Sequence, residues 1–212
     1  MDVNKKKMYD KSGPVIVENL RKRRFDAYYC SNREEAVKKA MELIPEADVV
    51  SWGGSMTLKD MGIREALAQR GNPVIDRDSA SSPEEREELM RKALLCDTFL
   101  MSTNALSMDG QLVNIDGNGN RVAAMVYGPK SVIVVAGMNK VAGTVEDAWR
   151  RARNVAAPMN SQRFAIETPC TKTGQCLDCK SPDSICAYML VTRISRPAKK
   201  IKVILIGEDL GM

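Results

Sequence analysis

The chain has 212 residues, a formal net charge of +5 and a hydrophobic content of 44%. That length suits one domain with a real core, and no apolar run approaches the ~20 residues that cross a bilayer. Histidine is absent, which excludes histidine general bases, Ser-His and Cys-His nucleophile pairs, and histidine metal ligands.

The charge is local. Residues 1–24 carry Lys5, Lys6, Lys7, Lys11, Arg21, Lys22, Arg23 and Arg24 against Asp2, Asp10 and Glu18, so the remainder is neutral overall. This predicts a basic N-terminal helical segment within residues 1–30. A nucleic-acid footprint would need a basic face interleaved with aromatics, so no nucleic-acid partner is expected. No secretory signal opens the sequence, and a cytoplasmic protein without a membrane span is expected.

In chain order, Asn32-Arg-Glu-Glu35 is a capping-box pattern that opens a helix with Ala36, Val37, Ala40, Met41 and Ile44 on one face. A strand is predicted over 47–52, followed by a Gly-Gly turn and a helix from about Thr57. Another strand covers 73–76. Ser82-Pro83-Glu84-Glu85 then supplies an N-cap, a proline in the first turn and a carboxylate at the third position. Strands follow over 97–102, 111–115 and 131–136; the last, SVIVVAG, is apolar throughout, as a central strand buried on both faces should be. Thr144 caps a helix with the stripe Val145, Ala148, Trp149, Ala152, Val155 and Ala156, opposite a solvated face of Arg150, Arg151, Arg153 and Asn154. Two late strands span 188–195 and 200–207. The alternation predicts a single domain over 1–212: α/β, with an open, mostly parallel sheet flanked by helices and a cysteine-rich loop insertion at 168–188.

That loop, TPCTKTGQCLDCKSPDSIC, holds Cys170, Cys176, Cys179 and Cys186, spaced C-x5-C-x2-C-x6-C. Four thiolates suit a [4Fe–4S] cluster or a zinc ion, and spacing does not separate the two. Two disulfides or inert thiols are the plainer alternatives, the former opposed by a reducing cytosol. Cys30 and Cys96 read as packing residues.

Three segments are candidates for a ligand crevice, because sheet ligands gather at the carboxyl ends of parallel strands. Gly53, Gly54, Ser55, Met56 and Thr57 form a strand-to-helix turn able to offer backbone N–H groups and hydroxyls to an anion. In residues 102–121, Asp109-Gly110 is a hairpin dipeptide. Around it Asn104, Asn114, Asp116, Gly117, Asn120 and Arg121 make a polar, amide-rich stretch. Gly137, Asn139 and Lys140 follow the central strand, and a lysine there is placed to hold phosphate or carboxylate. Asp48, Lys59, Asp60 and Arg64 read as surface residues. The expected ligand is a small anionic substrate or cofactor.

The stretches WGGSMTL, TNALSMDGQLVNIDGNGNRVAAMVYGPK, VIVVAGMNK and ARNVAAPMNSQR resemble the LUD-domain family, the lactate-utilisation-type proteins, over roughly residues 10–208. The cysteine segment is similar to that of its small, single-domain members. The resemblance implies a sugar-isomerase/CoA-transferase (NagB/RpiA)-like fold. It also implies a role in oxidation of L-lactate to pyruvate, beside other lactate-oxidation subunits that carry iron–sulfur centres. The leading expectation is an accessory or electron-transfer component of L-lactate or related hydroxy-acid oxidation, with the four cysteines holding [4Fe–4S]. The alternative is a phosphate- or CoA-ligand enzyme or binding module with a structural zinc.

Overall fold

The computed structural model describes residues 1–212. Ten strands build two sheets: β1 Asp26–Cys30, β2 Val50–Trp52, β3 Val74–Ile75, β4 Thr98–Met101, β5 Ala105–Ser107, β6 Leu112–Asp116, β7 Ser131–Gly137, β8 Val141–Ala142, β9 Tyr188–Thr192 and β10 Ile201–Ile206. The main sheet is wholly parallel, in the order β1-β10-β7-β4-β2-β3. The second runs β8-β5-β6-β9 and contains the β5–β6 antiparallel hairpin around Asp109-Gly110. Gly110 takes φ +89°, a left-handed conformation that glycine adopts without strain.

The helices are α1 Val3–Lys22, α2 Arg33–Leu43, α3 Met56–Met61, α4 Ile63–Arg70, α5 Pro83–Lys92, α6 Asn120–Val126, α7 Val145–Arg151, α8 Ala157–Ser161 and α9 Pro169–Thr173. Three of the starts read from sequence are made by side chains. Asn32 accepts from Glu35 N, Ser82 accepts from Glu85 N, and Thr144 forms a reciprocal capping box with Asp147.

Strand periodicity explains the layering. Successive side chains leave a strand on opposite faces, so Val132, Val134 and Ala136 of β7 enter one core cluster with Phe99, Leu20 and Met125. Ile133 and Val135 enter another with Ala36, Leu58, Ile63 and Leu67 of α2–α4. The main sheet is therefore covered on both faces. A smaller cluster seats the second sheet on α7 through Val113, Ile115, Ala148 and Ala152.

Two expectations need correction. The basic N-terminal segment is helical over Val3–Lys22 and not to residue 30; α1 buries Tyr9, Ile16, Val17 and Leu20, and its charges occupy the outer face. Gly13 is buried against the Tyr29 ring, where a Cβ would collide with it. Residues 26–30 within that segment form β1, an outer strand beside β10 that the polar sequence DAYYC conceals. The helix that Thr144 caps is also interrupted, because Ala152–Ala156 forms a π-helical turn between α7 and α8. The extra residue rotates the stripe, leaving Val155 at 42% exposure and turning Arg151 and Arg153 toward the protein.

Candidate functional site

Lys140 ends a short 3₁₀ turn directly after β7 and is 4% exposed. Its Nζ donates to Thr57 Oγ1 at 2.9 Å and to Ser102 Oγ at 3.0 Å, and it forms no ion pair. Burial, followed by the charge of Arg151, lowers its pKa to about 7. These groups line a cavity of about 50 Å³ at the carboxyl ends of the main sheet, together with Gly54, Ser55, Met56, Arg121 and Arg163. One water takes about 10–15 Å³ of such space, so the cavity suits a ligand of a few heavy atoms.

The walls are held from several elements. Ser55 caps α3 by accepting from Leu58 N at 3.3 Å. Asp116, 3% exposed at the end of β6, accepts from Arg121 Nε at 3.1 Å and Nη2 at 2.8 Å. Its other oxygen accepts from the backbone N–H groups of Arg121 and Val122, tying down the first turn of α6. Gly53 has no side chain because Arg121 lies over it: a Cβ there would come within 2.6 Å of Arg121 Cγ. Arg151 donates to the carbonyls of Asn104 at 2.6 Å and Asn139 at 3.0 Å, joining the two loops across the crevice.

Of the ligand residues expected from sequence, Gly54, Ser55, Met56, Thr57, Asn104, Arg121 and Lys140 reach this cavity. Gly53 and Asp116 stand behind Arg121. Asn139 accepts from Leu210 N at 3.1 Å, and Gly137 is bare so that residues 208–210 can lie against it. Gly117 and Asn120 instead line a broad surface groove shared with α5 and Tyr188. Asn114 is buried and directs its amide to Met125 Sδ at 3.6 Å. Asp109 lies at the far hairpin, bonded to Ser107 and Arg23. Asp109 and Asn114 thus serve a turn and the core. Ser102, Thr103, Asn160 and Arg163 also line the cavity and were not anticipated. The polar end of ARNVAAPMNSQR, beyond the apolar stripe, is the signal that marks the last two. Among the residues read as surface, Arg64 stacks on Trp52 at 4.7 Å and Asp48 accepts from Thr98 Oγ1 at 2.6 Å.

The four loop cysteines line a second cavity, also of about 50 Å³, with Arg153, Ala157, Pro158 and Thr168. All four are free thiols. Burial, and then the charge of Cys176, Cys170 and Cys179, push the Cys186 thiol up to about 11. At Cys170 burial acts upward, but hydrogen bonds with Ser161 and Thr168 outweigh it and lower the pKa. Arg153 reaches Cys176 Sγ at 3.7 Å and Asp178 at 2.7 Å, placing a cation beside the thiol loop. No three Cys, Asp or Glu side chains are grouped to hold a single metal ion; the thiols surround a space rather than meet at one point. The donor set is all sulfur with a neighbouring cation, a chemistry that suits either an iron–sulfur cluster or a zinc ion. Ala156 lines the Lys140 cavity and Ala157 the cysteine cavity, so the two share one helical wall at the π-helical turn.

No helix is long and apolar enough to cross a membrane. No curated protein matches the chain. A crystal structure of a DUF162 family protein from Deinococcus radiodurans is similar at a TM-score of 0.55 and 11% identity, covering 93% of this chain and 98% of that one. A ribose 5 phosphate isomerase A from Neisseria gonorrhoeae matches at a TM-score of 0.36 and 15% identity, over 53% of this chain and 54% of its own. The LUD domain family model matches residues 14–206. The chain belongs to the LUD-domain family, the lactate-utilisation-type proteins.

Proposed function

We propose that this protein is an accessory or electron-transfer component of L-lactate or related 2-hydroxy-acid oxidation, with a four-cysteine iron–sulfur site beside a pocket for a small carboxylate. The carrying observation is the shared wall: consecutive residues Ala156 and Ala157 line the anion cavity and the thiol cavity. Cys170, Cys176, Cys179 and Cys186 would hold the cluster, and a bound [4Fe–4S] centre supplies one-electron transfer. Arg153 balances thiolate charge at the loop. On the other side, Arg121 and Arg163 attract the ligand's carboxylate, while Thr57, Ser102 and Lys140 face its oxygen substituents. Family membership supports the lactate-utilisation setting.

The zinc-based alternative, with a phosphate or CoA ligand, receives less support. A cavity of about 50 Å³ is small for a nucleotide-sized ligand. Full-length protein prepared without air should absorb near ~400 nm and bleach on reduction. L-Lactate or pyruvate should shift the amide signals of Thr57, Ser102 and Lys140. A colourless protein, or signals unmoved by either acid, contradicts the corresponding half of the reading.

A further inference from the structure

The anion pocket contains one residue that simple ion binding does not explain. A lysine meant only to attract a carboxylate works best solvated and charged, or paired. Lys140 is neither: its Nζ touches only two hydroxyls in a site that is 96% shielded, with Arg151 and Arg121 adding positive charge nearby. The elements packed around it set its state. Arg151 of α7 and Arg121 of α6 oppose its protonation, while Asp60 at the end of α3 favours it more weakly than Arg151 opposes it. Arg163 also lines the cavity and donates to Asn160 Oδ1 at 3.0 Å. Burial and these charges leave about half of the amine neutral near pH 7, against almost none for a solvated lysine. A neutral buried amine between hydroxyls, in a pocket with cationic walls, is the arrangement of a carbonyl-trapping nucleophile.

We propose that Lys140 condenses reversibly with a small 2-oxo acid to form an imine, with Arg121 and Arg163 holding the acid's carboxylate and Thr57 and Ser102 relaying protons. This rests on the carboxylate-pocket reading above and adds a covalent step to it. The Nζ lone pair attacks the ketone carbon, and the carbonyl oxygen becomes the carbinolamine hydroxyl. A proton reaches that hydroxyl through Thr57 or Ser102, the C–O bond breaks, and water leaves as the C=N bond forms. One amine and one carbonyl give one imine and one water, with no change in oxidation state. The cavity volume restricts the partner to acids of a few carbons. The iminium also acidifies the C–H bonds next to the former carbonyl, so a bound 2-oxo acid should exchange those hydrogens with solvent.

The test uses the full-length protein with pyruvate or glyoxylate and cyanoborohydride near pH 7, read by intact mass and peptide mapping. The expected result is a single reduced adduct at Lys140, favoured more than about tenfold over any surface lysine because those amines remain protonated. L-Lactate, which has no ketone or aldehyde carbonyl, should compete without forming an adduct. Lys140→Arg removes the nucleophilic amine and should abolish the adduct. Should that variant not fold, protection of Lys140 by L-lactate in the unaltered protein, with surface lysines unprotected, provides the same discrimination. Hydrogen exchange at the pyruvate methyl group should accompany adduct formation and vanish in Lys140→Arg. Adducts spread evenly over surface lysines overturn the proposal. Pyruvate binding observed by amide shifts at Thr57 and Ser102, with no adduct at Lys140, overturns the imine and leaves the carboxylate pocket standing; no shift with pyruvate, L-lactate or phosphate overturns both.

Discussion

Asp116 holds Arg121 at both ends: one carboxylate oxygen accepts from the guanidinium at 2.8 Å and 3.1 Å, and the other accepts from the arginine's own backbone N–H at 2.9 Å. One buried carboxylate thereby starts α6 and aims its first cation into the cavity. Removing one partner of a buried pair leaves an uncompensated charge, at about 3–5 kcal/mol. Asp116→Ala should lose stability on that scale in urea unfolding, and Asp116→Asn, which keeps one acceptor, should lose less. Equal losses would show that the charge is not what matters.

Gly53 lies beneath the same arginine. Gly53→Ala should displace Arg121, because its Cβ would fall 2.6 Å from Cγ and 2.8 Å from Cδ. Carboxylate affinity should fall by roughly tenfold, about 1.4 kcal/mol, with the circular dichroism of the sheet unchanged. Calorimetric titration with L-lactate or pyruvate measures it, and unaltered affinity would remove Arg121 from the ligand's contacts.

Lys140 makes stability depend on pH in a defined direction. Its amine pKa is about 7 folded against 10.5 unfolded. Below pH 7 both states are protonated and the full cost of a buried charge is present. Between pH 7 and 10.5 the unfolded chain binds the extra proton, so stability rises with pH over that window. Lys140→Met should therefore stabilise most below pH 7, by roughly 3–5 kcal/mol, and least above pH 10.5. Denaturation series across this range provide the check; a pH-independent difference would mean that Lys140 is not buried as a base.

If the proposed cluster is held by the four thiols, the cysteine loop takes its order from it. Thiols Cys176 and Cys179 have only the 3.7 Å approach of Arg153 and the wall of α8 to hold them. Cys176→Ser should strip bound iron and speed amide exchange across residues 168–188, while the main sheet keeps its protection. Full metal occupancy in this variant would remove Cys176 from the ligand set.

The sheet was legible where burial is two-sided. SVIVVAG announced β7, and its two-residue alternation decides which core each valine enters. β1 was hidden because an outer strand tolerates Asp26 and two tyrosines. The three-residue β5 and two-residue β8 are too short to show a period. Lys140 and the Gly53–Gly54 turn could be read because each follows a strand at its carboxyl end. Asn160 and Arg163 offer only their polarity as a signal: their place depends on the π-helical turn at Ala152–Ala156, which shifts the residues after it by one position. Asp109 illustrates the converse, since a hairpin Asp-Gly satisfies its carboxylate locally with Ser107 and Arg23.

Metal content tests the proposed iron–sulfur centre in the thiol cavity most directly. Iron, acid-labile sulfide and zinc should be quantified in full-length protein purified without air. About four iron and four sulfide per chain are expected, with zinc near zero. One zinc per chain without sulfide would contradict it.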